Sequence, residues 1–554
     1  MKKFATKFAF MCFFSMANVE TLAFASPSFN NVKFHTVHQH ASISKHARSR
    51  NADVAHSNFP LHRGKESSNP GTAMQMSLSL RGGSAALISA ASNPTTLFNT
   101  NLMVLAATTA LIRMADKFLG RKDSSSSEET PKPAAVKSLQ IRFLAVFWLL
   151  RCADWLQGPY FYEVYSSKIF NGVPASLAVV SRLFLTGFAS TALFGPLVGR
   201  ASDNRGRKRG TLAFALLYSL GAASTKSSIL GVLLLGRLCS GIGTSLLFSA
   251  PEAWLVGEAT STEDGGKYLG ETFGMAYAGD SLVAIIAGQL ASAAAGARGP
   301  SGPFELSIGF LAAGALLAAF LWKENKASPQ QTSDSGKESK EPTIRDAMKV
   351  VTADPKIMLV GAVQSLFEAA MYIFVLQWPP AISSAIADAF AGSGTPYGTV
   401  FSCFMASCLL GSTIFGQAVK RNVSTESFTS FMLVLATISM GVATLTISSG
   451  GAFAMPLAAM VAAFFGFEAC VGMYFPSIGT LRSKYIPDSH RSVIMNLFGI
   501  PLNALVVSVF LSIKKLGVSG ALSVSTGALA LATLSMLKLK TIAKAEQQLA
   551  IQEG

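Results

Sequence analysis

Charged residues are scarce in this 554-residue chain, and they make up only 14% of it. About a quarter is usual for a soluble domain, so this scarcity indicates a membrane protein. Histidine is nearly absent beyond the N-terminal region, where six of the seven lie. The six cysteines lie in apolar segments and form no Cys-x-x-Cys pair, which argues against a redox or zinc motif. No nucleophile pairs with a base and no glycine loop suits phosphate, so we expect no enzyme, catalytic residue, metal or cofactor.

Long apolar segments dominate the rest of the chain. Between about residues 139 and 540, runs of roughly 18–25 residues recur between short polar breaks, which is the length that a membrane-spanning helix needs. We predict about twelve spans, at 141–162, 175–198, 210–225, 228–254, 267–293, 304–322, 357–380, 397–418, 428–447, 452–477, 490–512 and 517–538. The expected fold is an all-α integral membrane protein with two six-helix halves, one on each side of a long polar segment after span six.

The polar segments set the domain boundaries that we predict. The N-terminal half covers 138–322 and the C-terminal half covers 357–540. A hydrophilic cytoplasmic linker, 323–356, joins them, and a cytoplasmic tail follows at 541–554.

The N-terminal region has the features of a targeting sequence. Residues 1–25 are typical of a signal peptide, because lysines precede an apolar run and Ala23-Phe-Ala25 offers a cleavage site. Residues 26–137 form a basic leader and linker that includes a possible extra anchor at 97–114. The two-part form is similar to plastid-targeting sequences of algae. We expect the plasma membrane, with the plastid envelope or another endomembrane as the alternative.

The net charge of +16 is explained by membrane topology. The basic residues lie in the leader and in short loops, without the basic face of a nucleic-acid-binding protein. Five basic residues and one acidic residue lie in Gly199–Arg209, between two apolar runs, which is typical of a cytoplasmic loop. We therefore expect both ends on the cytoplasmic side, the lipid bilayer as a partner, no nucleic acid, and a monomer.

The same loop resembles the one between helices two and three of major facilitator superfamily transporters, with the spacing Gly-x-x-x-Asp-x-x-Gly-Arg-Lys. The resemblance implies gating roles for Gly199, Asp203, Gly206, Arg207 and Lys208. Gly199 would allow close helix approach, Asp203 would cap a helix or form a salt bridge, and Arg207 would pair with an acid when the cytoplasmic side closes. A cluster that only sets topology is the alternative.

Arg237 in predicted span four belongs to a second pattern of that superfamily, in which glycines follow at positions 241 and 243. Glycines at this spacing permit close helix contact. An arginine inside a span is costly, so it usually faces a cavity or a partner, and the alternative is snorkelling to the surface.

The resemblance to this superfamily implies a central cavity lined by spans one, four, seven and ten. Each of these spans carries one acidic residue: Asp154, Glu252, Glu368 and Glu468. Any one of them could be a structural acid, but their distribution favours function. Glu271 and Asp280 in span five are the main exceptions. Arg151 lies three residues before Asp154 and can pair with it on one helix face. Pro159 and Pro251 should break spans one and four, which membranes tolerate mainly beside a polar cavity.

Motifs in these spans resemble the molybdate-anion transporter family. The matching segments are Ala153–Tyr160, Leu246–Trp254, Gln364–Ala369, Gly472–Ser477, Leu481–Pro487 and Asn496–Leu502. The resemblance covers about 140–510 and implies secondary active uptake of molybdate, a tetrahedral dianion, by alternating access.

A dianion site needs positive charge and hydrogen-bond donors. On this resemblance we expect the pathway to include Arg151, Arg237, Gln157, Tyr160, Gln364, Asn496, Asn503 and Trp254. A proton on Asp154, Glu252 or Glu368 would offset the charge of the dianion, so co-transported protons are an expected partner. The alternatives are a transporter of a sugar, organic anion or drug, and a nutrient sensor that binds without transport.

Overall fold

The computed structural model describes residues 93–119, 132–170, 172–326, 344–448, 456–487 and 491–553. The predicted signal peptide, most of the leader and the middle of the predicted linker lie outside these residues.

The described residues are almost entirely helical. A first helix, α1 (Pro94–Leu119), precedes the N-terminal half. That half contains α2 (Ala134–Gln157), α3 (Phe161–Ser166), α4 (Leu177–Arg205), α5 (Arg207–Ser224), α6 (Leu230–Leu247), α7 (Ala250–Ser261), α8 (Leu269–Arg298) and α9 (Gly302–Leu321). The linker region contains α10 (Ile344–Ala353), and the C-terminal half contains α11 (Pro355–Ala389), α12 (Tyr397–Lys420), α13 (Thr425–Ser448), α14 (Pro456–Tyr485) and α15 (Arg491–Glu553).

A short antiparallel hairpin, β1 (Ile169–Phe170) and β2 (Val173–Pro174), follows α3. We call the end of the molecule that carries it the hairpin side. The opposite end, where α4 meets α5 and α9 leads into the linker, is the linker side.

Ten helical stretches among the described residues are long and apolar enough to cross a membrane. The last one contains a break at Gly517, whose φ of 63° and ψ of −170° divide α15 into two spans. Two more long helices are not among these ten stretches. They are less apolar, because α2 carries four charged residues and α5 begins with three basic ones. When α2 and α5 are added and α15 is counted as two spans, the described residues contain thirteen apolar helical segments. The first of these is α1, and the other twelve correspond to the spans that the sequence predicts.

Several helices extend beyond the predicted spans. Gly199–Arg209, predicted as a loop, is helical except at Gly206, because α4 continues to Arg205 and α5 begins at Arg207. Arg482 likewise lies beyond the predicted span 452–477, and it belongs to the last turn of α14. The apolar part of a sequence shows which residues of a helix lie in the lipid. The backbone hydrogen bonds of the helix can continue beyond those residues into water. The sequence therefore underestimates helix length.

Buried apolar residues form two clusters. One cluster extends through the C-terminal half and continues into the hairpin side of the N-terminal half. The other lies only within the linker side of the N-terminal half and includes Phe143, Phe214 and Trp254. The two halves therefore share a hydrophobic core on the hairpin side.

Close packing of α6 on α4 depends on glycine. A Cβ at Gly241 would lie 2.3 Å from the carbonyl oxygen of Gly187, and a Cβ at Gly243 would lie 3.1 Å from the ring of Tyr218. This confirms the predicted close helix contact. Gly199 differs, because a Cβ there would meet nothing within 4 Å. The predicted close approach at Gly199 is therefore absent among the described residues.

The extra N-terminal helix packs on the C-terminal half. On α12, the Cys403 thiol contacts the carbonyl oxygen of Phe98 at 3.2 Å, and Lys420 forms an ion pair with Asp116. The apolar run at 97–114 thus lies in a helix that contacts α12, although the chain then continues into the other half.

Candidate functional site

The first cluster of charged side chains lies in the N-terminal half, between α2 and α8. The Arg151 guanidinium faces the Asp280 carboxylate, with Nη2 2.8 Å from Oδ2 and Nε 3.0 Å from Oδ1. The Trp155 indole donates a 2.8 Å hydrogen bond to Oδ1 of the same carboxylate. Arg151 also lies 3.5 Å from Asp154, which confirms the predicted pairing on one helix face. Asp280 is nevertheless the principal partner, although it lies outside the four spans expected to line the pathway.

Two carboxyls that the sequence predicts for the pathway, Asp154 and Glu252, lie beside this pair, and each accepts a hydrogen bond from a tyrosine hydroxyl. Tyr218 on α5 donates to Asp154, and Tyr277 on α8 donates to Glu252 on α7. Four helices, α2, α5, α7 and α8, therefore contribute to one polar cluster.

Helix breaks position parts of this cluster. A 3₁₀ turn, Gly158–Tyr160, separates α2 from α3. The helix α6 ends at Leu247, and α7 begins one residue before Pro251. Both breaks confirm the expectation from proline, which lacks the N–H that a continuous helix needs.

The second cluster lies in the C-terminal half, between α11 and α14. Arg482 Nε donates to Gln364 Oε1 at 3.0 Å, and Nη2 lies 3.1 Å from Glu368 Oε1. The Tyr474 hydroxyl donates to the same Glu368 oxygen at 2.9 Å. The Tyr474 ring also stacks on Phe367, with centroids 4.0 Å apart. Each half therefore holds an arginine beside a carboxylate that also receives an aromatic N–H or O–H.

The sequence places Arg482 in the family motif Leu481–Pro487 but not among the predicted pathway residues, and Asp280 is one of the two acids outside the expected pathway spans. The spacing between Arg482 and Glu468 could have indicated that Arg482 faces the pathway. Arg482 lies fourteen residues after Glu468, which places it on the same face of one helix about four turns later. Glu468 is buried, and no other described residue donates a hydrogen bond to its carboxyl. Asp280 offered no comparable signal, because its partner lies on another helix.

The two predicted asparagines do not join either cluster in the described part of the chain. Asn503 on α15 is fully buried, and neither atom of its amide group has a hydrogen-bond partner there. The backbone of Asn496 belongs to α15, and its side chain lies outside what the structure describes. Among the predicted neutral donors whose side chains the structure describes, Gln364 is the one that contacts a charged cluster.

Three other predicted pathway residues pack against neighbouring helices. Gln157 donates to the Ser307 hydroxyl on α9 at 2.8 Å. Tyr160 is buried, with its ring edge against Tyr397 of α12 and centroids 5.8 Å apart. Trp254 is fully buried on the linker side. These contacts give the three residues packing roles in this conformation.

Arg237 is buried near the hairpin side and points toward α4. Its Nε donates to the Leu183 carbonyl at 3.3 Å, and its guanidinium lies 4.4 Å from the centroid of the Phe161 ring. A Cβ at Gly187 would lie 2.3 Å from Nη2, so glycine leaves room for the guanidinium. Among the described residues, no carboxylate forms an ion pair with Arg237. It therefore does not snorkel to the surface, and backbone and aromatic groups stabilise its charge.

The hairpin side joins the two halves directly. Ser292 on α8 and Thr399 on α12 have hydroxyl oxygens 3.0 Å apart, and the Ser402 hydroxyl donates to the Ile285 carbonyl at 2.8 Å. On α3, which lies beyond the predicted end of the first span, partial burial raises the pKa of the Glu163 carboxyl to about 7. The hydrogen bonds from Ser292 and Ser402 thus join the two halves on the hairpin side in this conformation.

On the linker side, the turn between α4 and α5 is bound by the segment that follows α9. Glu324 accepts hydrogen bonds from the backbone N–H groups of Lys208 and Arg209, at 2.9 and 3.1 Å. A carboxylate at the N-terminus of α5 also interacts favourably with the helix dipole. Gly206 adopts a φ of 132°, and a Cβ there would lie 2.3 Å from the Glu324 carboxyl carbon.

The sequence predicts an unspecified acidic partner for Arg207, and in the structure Asp203 Oδ1 lies 3.0 Å from its Nε. The Lys208 ammonium donates to the Ala319 carbonyl at 2.6 Å. Nearby, Trp254 stacks on Trp322 with centroids 4.0 Å apart. The described partners of the gating residues therefore come from the N-terminal half and the first residues of the linker.

Comparison with known proteins identifies the family. A family model described as sugar transporters with 12 transmembrane helices matches residues 97–471. The molybdate-anion transporter of Xenopus tropicalis is 30% identical over 387 residues, which cover 69% of this chain and 80% of that protein. The chain belongs to the molybdate-anion transporter family of the major facilitator superfamily. The family member from Takifugu rubripes is also 30% identical, over 67% of this chain and 78% of its own. The chain is thus a membrane transporter and not an enzyme.

Solved structures support the fold alone, since they share little sequence. A peptide transporter of the POT family in complex with sulfate has a TM-score of 0.56 at 15% identity, covering 76% of this chain and 96% of its own. A bacterial metal transporter has a TM-score of 0.53 at 14% identity, covering 74% and 100%. Both are helical membrane transporters.

Proposed function

We propose that this protein is a secondary active transporter that takes up molybdate by alternating access. The observation that carries this proposal is the pair of arginine clusters, one in each half, of which the first is buried and the second part-buried. Arg151 lies beside Asp280, and Arg482 lies beside Glu368. A transporter built from two halves needs cargo-binding groups on both, because the halves move relative to each other around the cargo.

The charge of the clusters favours an oxyanion over a sugar. The relatives are named for molybdate, whereas the family model is described as sugar transporters. An arginine within a span is costly, and an uncharged sugar does not require one. The planar guanidinium presents paired N–H donors that suit the oxygens of a tetrahedral oxyanion. A membrane transporter with two such groups is therefore better suited to an anion.

The contacts between the halves support alternating access, with this conformation open toward the linker side. The shared hydrophobic core and the bonds from Ser292 and Ser402 join the halves on the hairpin side. On the linker side, the N-terminal half has a hydrophobic cluster of its own. If the linker side is cytoplasmic, as the basic residues predict, this is an inward-facing state.

Protons are the coupling ion that we propose. Entry of a dianion into a negative interior is unfavourable, and a protonated carboxyl on the protein would offset part of that charge. Asp154, Glu252 and Glu368 are the candidates, since each lies in an arginine cluster or beside one. We propose the plasma membrane as the location, with a plastid envelope or other endomembrane as the alternative.

Uptake of labelled molybdate by the purified full-length protein in proteoliposomes tests the function. We expect saturable uptake that an inward proton gradient stimulates, and counterflow when the liposomes are preloaded with molybdate. Sulfate added as a competitor measures selectivity. Binding without counterflow would identify a sensor, and movement of other solutes without molybdate would identify a different cargo.

A disulfide across the hairpin side tests alternating access. In a background without native cysteines, Ser292→Cys with Thr399→Cys should form a cross-link that holds this side closed and abolishes uptake until it is reduced. The matched control joins Thr437 and Thr533, whose hydroxyl oxygens are also 3.0 Å apart but lie within one half. A cross-linked Ser292–Thr399 variant that still transports would contradict the mechanism.

A further inference from the structure

Among the described residues, the donors that bind the Asp280 carboxylate all come from α2. Arg151 contributes Nε, 3.0 and 3.1 Å from the two carboxylate oxygens, and Nη2 at 2.8 Å from Oδ2. Trp155, four residues later and so on the same helix face, contributes its indole N–H at 2.8 Å from Oδ1. Both oxygens of the carboxylate are therefore satisfied by three N–H groups of one helix.

This donor set has the chemistry of an oxyanion subsite. A guanidinium fork and an indole N–H offer hydrogen bonds and positive charge to two neighbouring oxygens, which both a carboxylate and a tetrahedral oxyanion possess. The exposed fractions of the Arg151 and Asp280 side chains are 9% and 10%, so water competes little for these donors. The guanidinium also lies 4.9 Å from the centroid of the Trp155 ring, which holds the two donors together.

We propose that Asp280 is a resident competitor for the transported oxyanion. Its carboxylate occupies the donors of Arg151 and Trp155 in the empty protein, and the cargo displaces it from them. This inference rests on the proposed function and names the subsite where the anion binds in the N-terminal half.

The neighbouring carboxyls are less suited to this role. Asp154 has one contact with the guanidinium, at 3.5 Å, and accepts the hydroxyl of Tyr218. Glu252 accepts the hydroxyl of Tyr277 and forms no ion pair with a described residue. Asp280 alone among these carboxyls binds the arginine with both oxygens.

The arrangement also gives selectivity for charge. A dianion that displaces the carboxylate restores an ion pair on Arg151 and leaves only Asp280 without its partner, whereas an uncharged solute would leave both charged groups without one. Unpaired buried charges are strongly unfavourable. The resident carboxylate therefore excludes sugars and other neutral solutes from the Arg151 donors.

The test measures binding of labelled molybdate to the purified full-length protein. Asp280→Asn removes the competing charge and keeps the side-chain size, so we expect the dissociation constant to fall by about tenfold or more. Glu305→Gln is the matched control, because Glu305 forms ion pairs with two exposed residues, Lys226 in the turn after α5 and Arg298 at the end of α8. It should leave binding unchanged.

A second variant keeps the test decisive if Asp280→Asn does not fold. Trp155→Phe removes one donor without changing charge. The indole N–H bonds both the carboxylate and the cargo, but it bonds a dianion more strongly than a monoanion, so we expect molybdate to bind several-fold more weakly. Unchanged affinity in Trp155→Phe, or affinity in Asp280→Asn that is equal to or weaker than that of the unmodified protein, overturns the inference and leaves the proposed function intact. An unmodified protein that binds no molybdate overturns the proposed function, and the inference with it.

Discussion

Replacing Arg482 by lysine tests whether the second cluster binds the anion through its guanidinium fork. The change keeps the positive charge beside Glu368, so the ion pair that stabilises the fold is retained. It removes the paired geometry in which Nε and Nη2 donate separately, at 3.0 and 3.1 Å, to groups on α11. Lysine offers a single ammonium and does not reproduce such a fork.

The size of the effect follows from the number of bonds. A hydrogen bond to a charged group contributes about 1.5–3 kcal/mol, and lysine should lose about one of two such bonds to the bound oxyanion. Because about 1.4 kcal/mol corresponds to a factor of ten, we expect KM for molybdate to rise by about ten- to a hundredfold. Initial rates of labelled molybdate uptake into proteoliposomes measure this, with reconstituted protein quantified for each variant.

Lys484→Arg is the control for this experiment. Lys484 lies two residues later on α14, but it forms an ion pair with Glu426 on α13 and its side chain is 54% exposed. KM should therefore change less than about twofold, the range expected for an exposed ion pair. A KM in Arg482→Lys within twofold of the unmodified protein would refute a role of the guanidinium fork in binding.

Two further predictions concern stability on the linker side. Gly206→Ala should destabilise the protein by about 1–3 kcal/mol, because its φ of 132° is unfavourable for alanine and the new Cβ would displace Glu324. Gly199→Ala, where a Cβ meets nothing within 4 Å, is the control, and equal melting temperatures of the two variants in detergent would contradict this account. Trp254→Ala should cost about 3–5 kcal/mol, because it leaves a cavity against Trp322 and removes the bond from the indole to the Lys323 carbonyl. A melting temperature unchanged by this substitution would show that the packing of Trp254 is not needed.

The sequence predicts the helices well and their ends poorly. All twelve predicted spans correspond to helices, and the breaks near Pro159 and Pro251 are confirmed. The predicted loop at Gly199–Arg209 is wrong in form, because only Gly206 leaves the helical conformation. Hydrophobicity reports the surrounding solvent, and a helix need not end where the lipid ends.

The candidate site is predictable only in part, because its groups come from different helices. The pairing of Arg151 with Asp154 follows from a spacing of three residues and is confirmed. The stronger pairing of Arg151 with Asp280 joins residues 129 positions apart, and nothing in the local sequence of either residue specifies it. Trp254 lies in a family motif, yet its neighbour in space is Trp322 at the end of α9.

The sequence by itself determined that this is a helical membrane protein with two six-helix halves, and its motifs indicated the family. Those properties depend on composition and on short spacings, which act within one helix. The tertiary structure alone decided which charged groups meet, since each meeting depends on how two helices are rotated and shifted against each other. It thereby placed Asp280 on the donors of Arg151, Arg482 beside Glu368, and α1 against α12. These contacts depend on the packing of many residues that are far apart in the chain, so a local sequence pattern does not predict them.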